Sequence, residues 1–152
     1  MIAAMRRRLA LVLIASLVVF AQTAIRSQNG RSYTARLSTV PVDLPMMATI
    51  AGSGLATAEL KGRTLTITGS YKGLKTPATV ARVHRGPKGI RGPAISDLKV
   101  SGGTSGTISG SVELTPQQVE DLGRGSLYIQ LHSEKAPDGN LWGWLLPPGN
   151  RR

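Results

Sequence analysis

The chain has two histidines, His84 and His132, and each lies at the carboxyl end of a segment that alternates as a β-strand does. Side chains two residues apart in a strand share a face, so Arg82 shares one with His84 and Tyr128 shares one with His132. If the two strands are neighbours, these four side chains form a polar cluster. This cluster is the first place where the residue types could do chemistry.

Two interpretations of the histidines compete. Imidazole is a common ligand of zinc and copper, but a protein site for these metals usually needs three or four ligands. His84 and His132 with one carboxylate, from Glu134 or Asp138, reach only the minimum and are weak candidates for a metal site. The alternative is structural, with each ring hydrogen-bonded to the backbone or to a tyrosine hydroxyl. We expect no resident cofactor.

A second candidate site lies near the end of the chain. Trp142 and Trp144 flank Gly143, so their side chains share one face of the last predicted strand. Together they would form an aromatic platform for a sugar polymer or a membrane interface. The alternative is that the pair packs in the core or at the edge of the sheet.

Several kinds of chemistry are excluded or unsupported. The chain has no cysteine, which excludes thiol chemistry and cysteine-based zinc or iron–sulfur sites. It has neither the Gly-x-Ser-x-Gly motif of a serine nucleophile nor a glycine-rich phosphate motif. The sequence therefore predicts a protein that is not an enzyme.

Short runs with strand-like alternation, separated by Gly, Pro, Ser and Asp, are typical of an antiparallel sandwich or barrel. The predicted strands cover residues 33–39, 54–60, 64–71, 78–84, 95–100, 107–114, 127–132 and 141–146. The tight connection at residues 61–63 predicts a hairpin, because Gly62 can adopt a positive φ.

One helix is predicted, over residues 115–123. Thr115 would be its N-cap, Pro116 its first residue and Gly123 its end, with Gln118 placed to complete a capping box. Val119 and Leu122 would dock the helix on the sheet.

The first 21 residues have the pattern of a secretory signal peptide. Three consecutive arginines precede a run of 12 residues that is apolar except for Ser16. At 1.5 Å per residue this run is too short to cross a hydrocarbon layer of about 30 Å. The alternative is an uncleaved anchor helix. Residues 22–32 are expected to form a flexible leader, and the product to be exported, periplasmic or extracellular.

The net charge of +11, from 19 Lys and Arg against 8 Asp and Glu, invites a nucleic-acid function. However, the basic residues form no dense run and the chain is predicted to be exported, so we expect no nucleic acid. The charge favours an anionic polymer or lipid headgroups, unless it serves only solubility. A basic binding surface would form if six residues gathered at one end of the domain. They are Lys72, Lys75, Arg82, Arg85, Lys88 and Arg91.

Several motifs occur in an order that resembles the CHRD domain, the module named after chordin. They are the His84–Pro87 loop start, Leu114-Thr115 before the helix, the Tyr-containing strand that ends at His132, and Pro137-Asp138-Gly139 before Leu141-Trp142-Gly143. The resemblance covers about 110 residues. It implies an immunoglobulin-like antiparallel β-sandwich of Greek-key type with one short helix, over residues 33–148, followed by a tail at 149–152. It also implies that no enzymatic activity is established for the family.

The chain departs from the family at one position. Members commonly carry two alternating histidines before the Gly-Pro loop, whereas Arg82 stands here at the first of these positions. This puts a metal or proton role of such a pair in doubt. We expect a non-enzymatic module that binds a protein or an anionic polymer at the cell envelope. The alternative is a metal-binding or metal-dependent envelope protein that uses the two histidines. The membrane would be contacted only through an uncleaved signal peptide, and the oligomeric state stays open.

Overall fold

The structure is a computed structural model that describes residues 30–149. The predicted signal peptide, most of the predicted leader and the last three residues of the predicted tail lie outside the described residues. Within residues 30–149, no helix has the length and apolar character needed to span a membrane.

Eight strands, one α-helix and one 3-10 turn form the fold. The strands are β1 Arg31–Thr39, β2 Ser53–Lys61, β3 Thr64–Lys72, β4 Ala78–Arg85, β5 Ala94–Val100, β6 Gly106–Glu113, β7 Leu127–Ser133 and β8 Ala136–Trp144. The helix α1 is Pro116–Gly123, and the 3-10 turn is Pro45–Ala48. Each predicted strand is present, and most bounds agree within one or two residues.

The strands form a closed antiparallel barrel in the order β1-β2-β3-β6-β5-β4-β7-β8. The predicted immunoglobulin-like sandwich is therefore wrong. A sandwich keeps two sheets with free edges, whereas here β1 pairs with both β2 and β8, and β5 pairs with both β4 and β6. These two joints are short. In the pairing of β1 with β8, Ser38 is opposite Trp142 and Thr39 is opposite Leu141.

The barrel interior is filled by alternate side chains of the strands, as expected for eight strands. Leu65 and Ile67 of β3 and Ile129 and Leu131 of β7 are fully buried there. The alternation read from the sequence is confirmed in these strands. It determines which residues point inward, and therefore which residues are left for the outer face.

A second apolar layer covers part of the barrel's outside. It contains Val40, Ile50, Tyr128, Ala136, Trp142 and Trp144, with Met46 and Leu146 packed against it. Because this layer lies over β7, every residue of that strand is buried on one face or the other. Tyr128 and the two tryptophans therefore lie outside the barrel and yet are shielded from water.

The predicted helix and hairpin are confirmed. Thr115 caps α1 through a capping box with Gln118, with hydrogen bonds of 3.2 and 2.9 Å. Leu122, on the inner side of α1, is fully buried. Gly62 has a φ of 60° between β2 and β3.

A buried carboxylate fixes α1 to the end of β4. Asp121 lies 2.5 Å from both Arg85 Nε and Arg124 Nη2. Burial opposes ionisation of Asp121, but the contacts with Arg124 and Arg85 prevail and hold the pKa of its carboxyl below the ordinary value. The charge on Arg85 is therefore engaged within the fold.

The last strand starts five residues earlier than predicted and ends two residues earlier. Pro137-Asp138-Gly139 does not form a turn before β8 but lies inside it, and the pairing register with β7 shifts between Leu131 and Ser133. The tight turn is instead at residues 134 and 135. In this irregular stretch the Pro137 carbonyl faces the side chain of His132 in β7. His132 belongs to the candidate site.

Candidate functional site

A row of aromatic rings crosses the outer faces of β4, β7 and β8. The ring centres of His84 and Tyr128 are 4.9 Å apart and stacked, and those of Tyr128 and Trp144 are 4.8 Å apart. The two tryptophans meet edge to face at 4.8 Å. On the other side, the centres of the His84 and His132 rings are 6.4 Å apart. The structure thus brings His84, Tyr128 and His132 together.

The loop at residues 86–93 folds back over this row and fixes it. His84 Nδ1 is 2.9 Å from the Gly92 carbonyl oxygen, and the Tyr128 hydroxyl accepts a 3.0 Å hydrogen bond from the Gly92 amide. Trp144 Nε1 donates to the Gly86 carbonyl at 3.0 Å. A carbonyl oxygen can only accept, so the proton of a neutral His84 is on Nδ1 and its Nε2 carries a lone pair.

His132 is held in the same way from the other side. Its Nδ1 is 2.7 Å from the Pro137 carbonyl oxygen, which places the proton of the neutral ring on Nδ1. Two residues before His132 on the same face of β7, Gln130 Nε2 donates to the Asp138 carbonyl at 2.8 Å. Three buried acceptors, His84 Nε2, His132 Nε2 and Gln130 Oε1, have no hydrogen-bond partner among the described residues. Such atoms are exceptional in folded proteins.

The surroundings of these acceptors are positive. Arg82 lies opposite Gln130 in the pairing of β4 with β7, and its Nε contacts Asp97 at 2.8 Å. Arg91 Nη1 donates to the Asp138 carbonyl at 2.6 Å. In the part of the chain that the structure describes, no group of three or more His, Cys, Asp or Glu residues could hold a metal ion. The three acceptor atoms therefore lie near two guanidinium groups, of which that of Arg82 is paired with Asp97.

Burial lowers the pKa of His132, and the positive charges of Arg82 and Arg91 lower it further, although the contact with Pro137 opposes the shift. The folded state therefore favours the neutral ring. We expect the free energy of unfolding to be independent of this group above about pH 6.5, and to fall as the pH drops from there towards the lowered value. Each unit of pKa difference corresponds to about 1.4 kcal/mol.

Urea unfolding of the metal-free protein between pH 7.5 and 5, compared with that of His132→Asn, measures this effect. The asparagine amide nitrogen can replace Nδ1 as the donor to Pro137 and does not titrate. The loss of stability below about pH 6.5 should be smaller in the variant. Parallel pH profiles for the two proteins would show that His132 does not contribute.

A groove of about 840 Å³ lies beside the aromatic row, across the joint between β1 and β8. It is lined by Thr34, Arg36, Ser38, Leu55, Lys88, Gly89, Trp142, Gly143, Trp144 and Leu146 through Gly149. Thr34, Arg36 and Ser38 are the outward residues of β1. Trp142 and Trp144 line the groove but are each only 8% exposed, so they do not form a free platform.

The groove is basic. Arg36 and Lys88 line it from opposite elements, β1 and the 86–93 loop, and none of its described lining residues is acidic. Neither cation forms an ion pair with a described carboxylate. By contrast, Arg82 and Arg85 are both paired, with Asp97 and Asp121.

The six basic residues singled out in the sequence do not gather at one end. Lys75 precedes β4 and Arg85 ends it, so the two lie at opposite ends of that strand. Of the six, only Lys88 lines the groove. Glu134 lies at the turn into β8, and Asp138 contributes its backbone carbonyl to the polar cluster.

Sequence reasoning missed Gln130 and Arg36. The alternation of β7 already places Gln130 between Tyr128 and His132, so that residue could have been included. Arg36 could not have been found, because its position beside Trp144 depends on the pairing of β1 with β8.

The CHRD domain family model matches residues 33–145. This is well over half of the chain, and the chain therefore belongs to the CHRD domain family. No curated protein and no solved structure matches it.

Proposed function

We propose that this CHRD-domain chain is a non-enzymatic module that binds an anionic polysaccharide in the groove over Trp142 and Trp144. One observation carries the proposal: the groove combines two cations without a described carboxylate partner and two tryptophans, and none of its described lining residues is acidic. The predicted signal peptide supports a place of action at the cell envelope, periplasmic or extracellular. Binding to an envelope protein remains the competing prediction for the same surface.

The lining suits a charged sugar chain for a physical reason. Arg36 and Lys88 supply positive charge, whereas the Thr34 and Ser38 side chains can exchange hydrogen bonds with hydroxyl groups. The two tryptophans and Leu55 add apolar surface that the faces of the sugar rings can contact. A groove open at the surface also admits a long polymer, which an enclosed pocket would not.

Binding of the full chain to alginate, with neutral dextran as the comparison, tests the proposal. We expect alginate to bind and dextran not to bind, and the affinity to fall steeply as salt shortens the Debye length from about 30 to 8 Å. The double variant Arg36→Gln/Lys88→Gln should bind about 10- to 30-fold more weakly, at about 1 kcal/mol per charge.

The matched control is Arg63→Gln/Lys99→Gln, which removes the same charge from outside the groove. It should retain most of the affinity. Equal losses in the two double variants would show that only net charge matters, and would contradict binding in the groove. Equal binding of dextran, or insensitivity to salt, would contradict an anionic ligand.

A second candidate function is metal binding through His84 and His132. The observation that favours it is the hydrogen bond of each Nδ1 to a backbone carbonyl, which leaves both Nε2 atoms buried and unpartnered. Metal-ligating histidines are usually oriented in this way. Titration of the full chain with Zn²⁺ and with copper, in each oxidation state, tests it. A bound ion that is lost in both His84→Asn and His132→Asn would support it, and the absence of any such ion would exclude it.

A further inference from the structure

We propose that the two histidines form a site selective for a monovalent soft cation, copper(I), bound between His84 Nε2 and His132 Nε2. The inference rests on the second candidate function and adds the kind of ion and its geometry. Gln130 lies on the same outer face of β7, between Tyr128 and His132 along the strand, and its Oε1 is a third buried atom without a described partner.

The first support is that the side chains are buried and already held in place by the backbone. His84 is 9% exposed, His132 5% and Gln130 3%, and each has one polar atom engaged by a backbone carbonyl and one left without a described partner. A purely structural role would be completed by the contacts to Gly92, Pro137 and Asp138. The three remaining acceptors on this face are then left for water or for another ligand.

The second support is the separation of the rings. A metal–nitrogen bond of about 2.0 Å places a ring centre about 3 Å from the ion. Two rings that share one ion then lie about 6 Å apart in a linear arrangement and about 5 Å apart in a tetrahedral one. The observed 6.4 Å lies at or slightly beyond the linear limit, so one ion can bridge the rings only if both Nε2 atoms lie on the line between the ring centres. Linear coordination by two donors suits copper(I), whereas zinc usually takes four ligands.

The third support is the local charge. Two imidazole nitrogens bring no negative charge to an ion, and no group of three or more His, Cys, Asp or Glu residues among those described could hold a metal there. Arg82 lies opposite Gln130 and is paired with Asp97, whereas Arg91 contacts the Asp138 carbonyl and forms no ion pair with a described carboxylate. Repulsion from these guanidinium groups grows with the charge of the ion, so a singly charged ion is favoured over Zn²⁺ or Cu²⁺.

The test is anaerobic titration of the untagged full chain with copper(I) against a competing copper(I) chelator, and with Zn²⁺ in a separate experiment. We expect one copper(I) per chain and much weaker zinc binding. His84→Asn and His132→Asn keep a donor in place of Nδ1 but remove Nε2. Each should weaken copper(I) binding by more than the roughly 10- to 100-fold that loss of a supporting partner costs a metal site.

Two further variants test the charge argument. Arg82→Gln should strengthen metal binding, and zinc more than copper(I), because it removes a positive charge and leaves the Asp97 carboxylate without its partner, and both changes act more strongly on the doubly charged ion. Arg63→Gln is the control, since Arg63 pairs with Glu113 on the surface at 3.3 Å and lies outside the cluster. It should change neither affinity.

X-ray absorption of the wild-type copper(I) complex gives a measurement that needs no variant. Two nitrogen neighbours without sulfur would support the site, and coordination by methionine sulfur would overturn it. If zinc binds through the histidines as tightly as copper(I) or more tightly, this inference fails and the second candidate function stands. If neither ion binds through them, both fail.

Discussion

Gly143→Ala is expected to destabilise the protein by about 3 kcal/mol, because it forces a methyl group into the joint that closes the barrel. A Cβ at this position would clash with the Arg36 carbonyl oxygen and lie 2.9 Å from Leu37 Cδ2. The carbonyl belongs to the backbone of β1, so it cannot rotate away as a side chain would. Relief requires β1 and β8 to separate, and few residue pairs hold them together.

Urea unfolding of the variant and of the wild type measures this loss. Gly123→Ala is the matched control, because a Cβ there meets nothing within 4 Å and the residue lies in α1. Alanine is favoured over glycine in a helix by up to about 1 kcal/mol, so the control should be unchanged or slightly more stable. An equal loss in both variants, or no loss in Gly143→Ala, would show that the joint tolerates the added volume.

The pairing of β1 with β8 also separates the part of the fold that the sequence could predict from the part that it could not. Alternation shows that a strand buries one face, and the inward residues of β3 and β7 are those expected from it. A sandwich and a barrel both satisfy that pattern. The difference lies in the pairing of β1 with β8 and of β5 with β6, and in the latter only Lys99–Ser109 and Val100–Ile108 form pairs. No motif in the sequence marks such short contacts.

The candidate site also has a part that the sequence could predict and a part that it could not. His84, Tyr128 and His132 could be grouped from strand period alone, given neighbouring strands. The partners that orient them could not, because Gly92 lies in a loop that folds back over the barrel and Pro137 lies in an irregular stretch of β8. The outer apolar layer was also unpredictable, since both faces of β7 are buried and its alternation therefore marks two different environments.

Trp144→Ala is expected to cost about 3–5 kcal/mol, the usual loss when a large buried aromatic side chain is truncated. The indole packs against both Tyr128 and Trp142, with ring centres 4.8 Å away in each case. Its Nε1 also holds the Gly86 carbonyl, at the base of the loop that carries the Gly92 contacts. The variant should therefore loosen the loop over the histidines as well as the outer layer.

Two milder substitutions separate the packing from the hydrogen bond. Trp144→Phe keeps an aromatic ring but leaves the Gly86 carbonyl unpaired, and should cost about 1–3 kcal/mol beyond the lost ring volume. Trp142→Phe is the matched control, because Trp142 Nε1 makes no hydrogen bond that the structure describes, and only the volume term applies to it. Urea unfolding measures the free energies, and hydrogen exchange of the Gly92 amide reports on the loop. Faster exchange in Trp144→Phe than in Trp142→Phe would show that the indole at position 144 holds the loop closed, whereas equal exchange rates would assign its effect to packing alone.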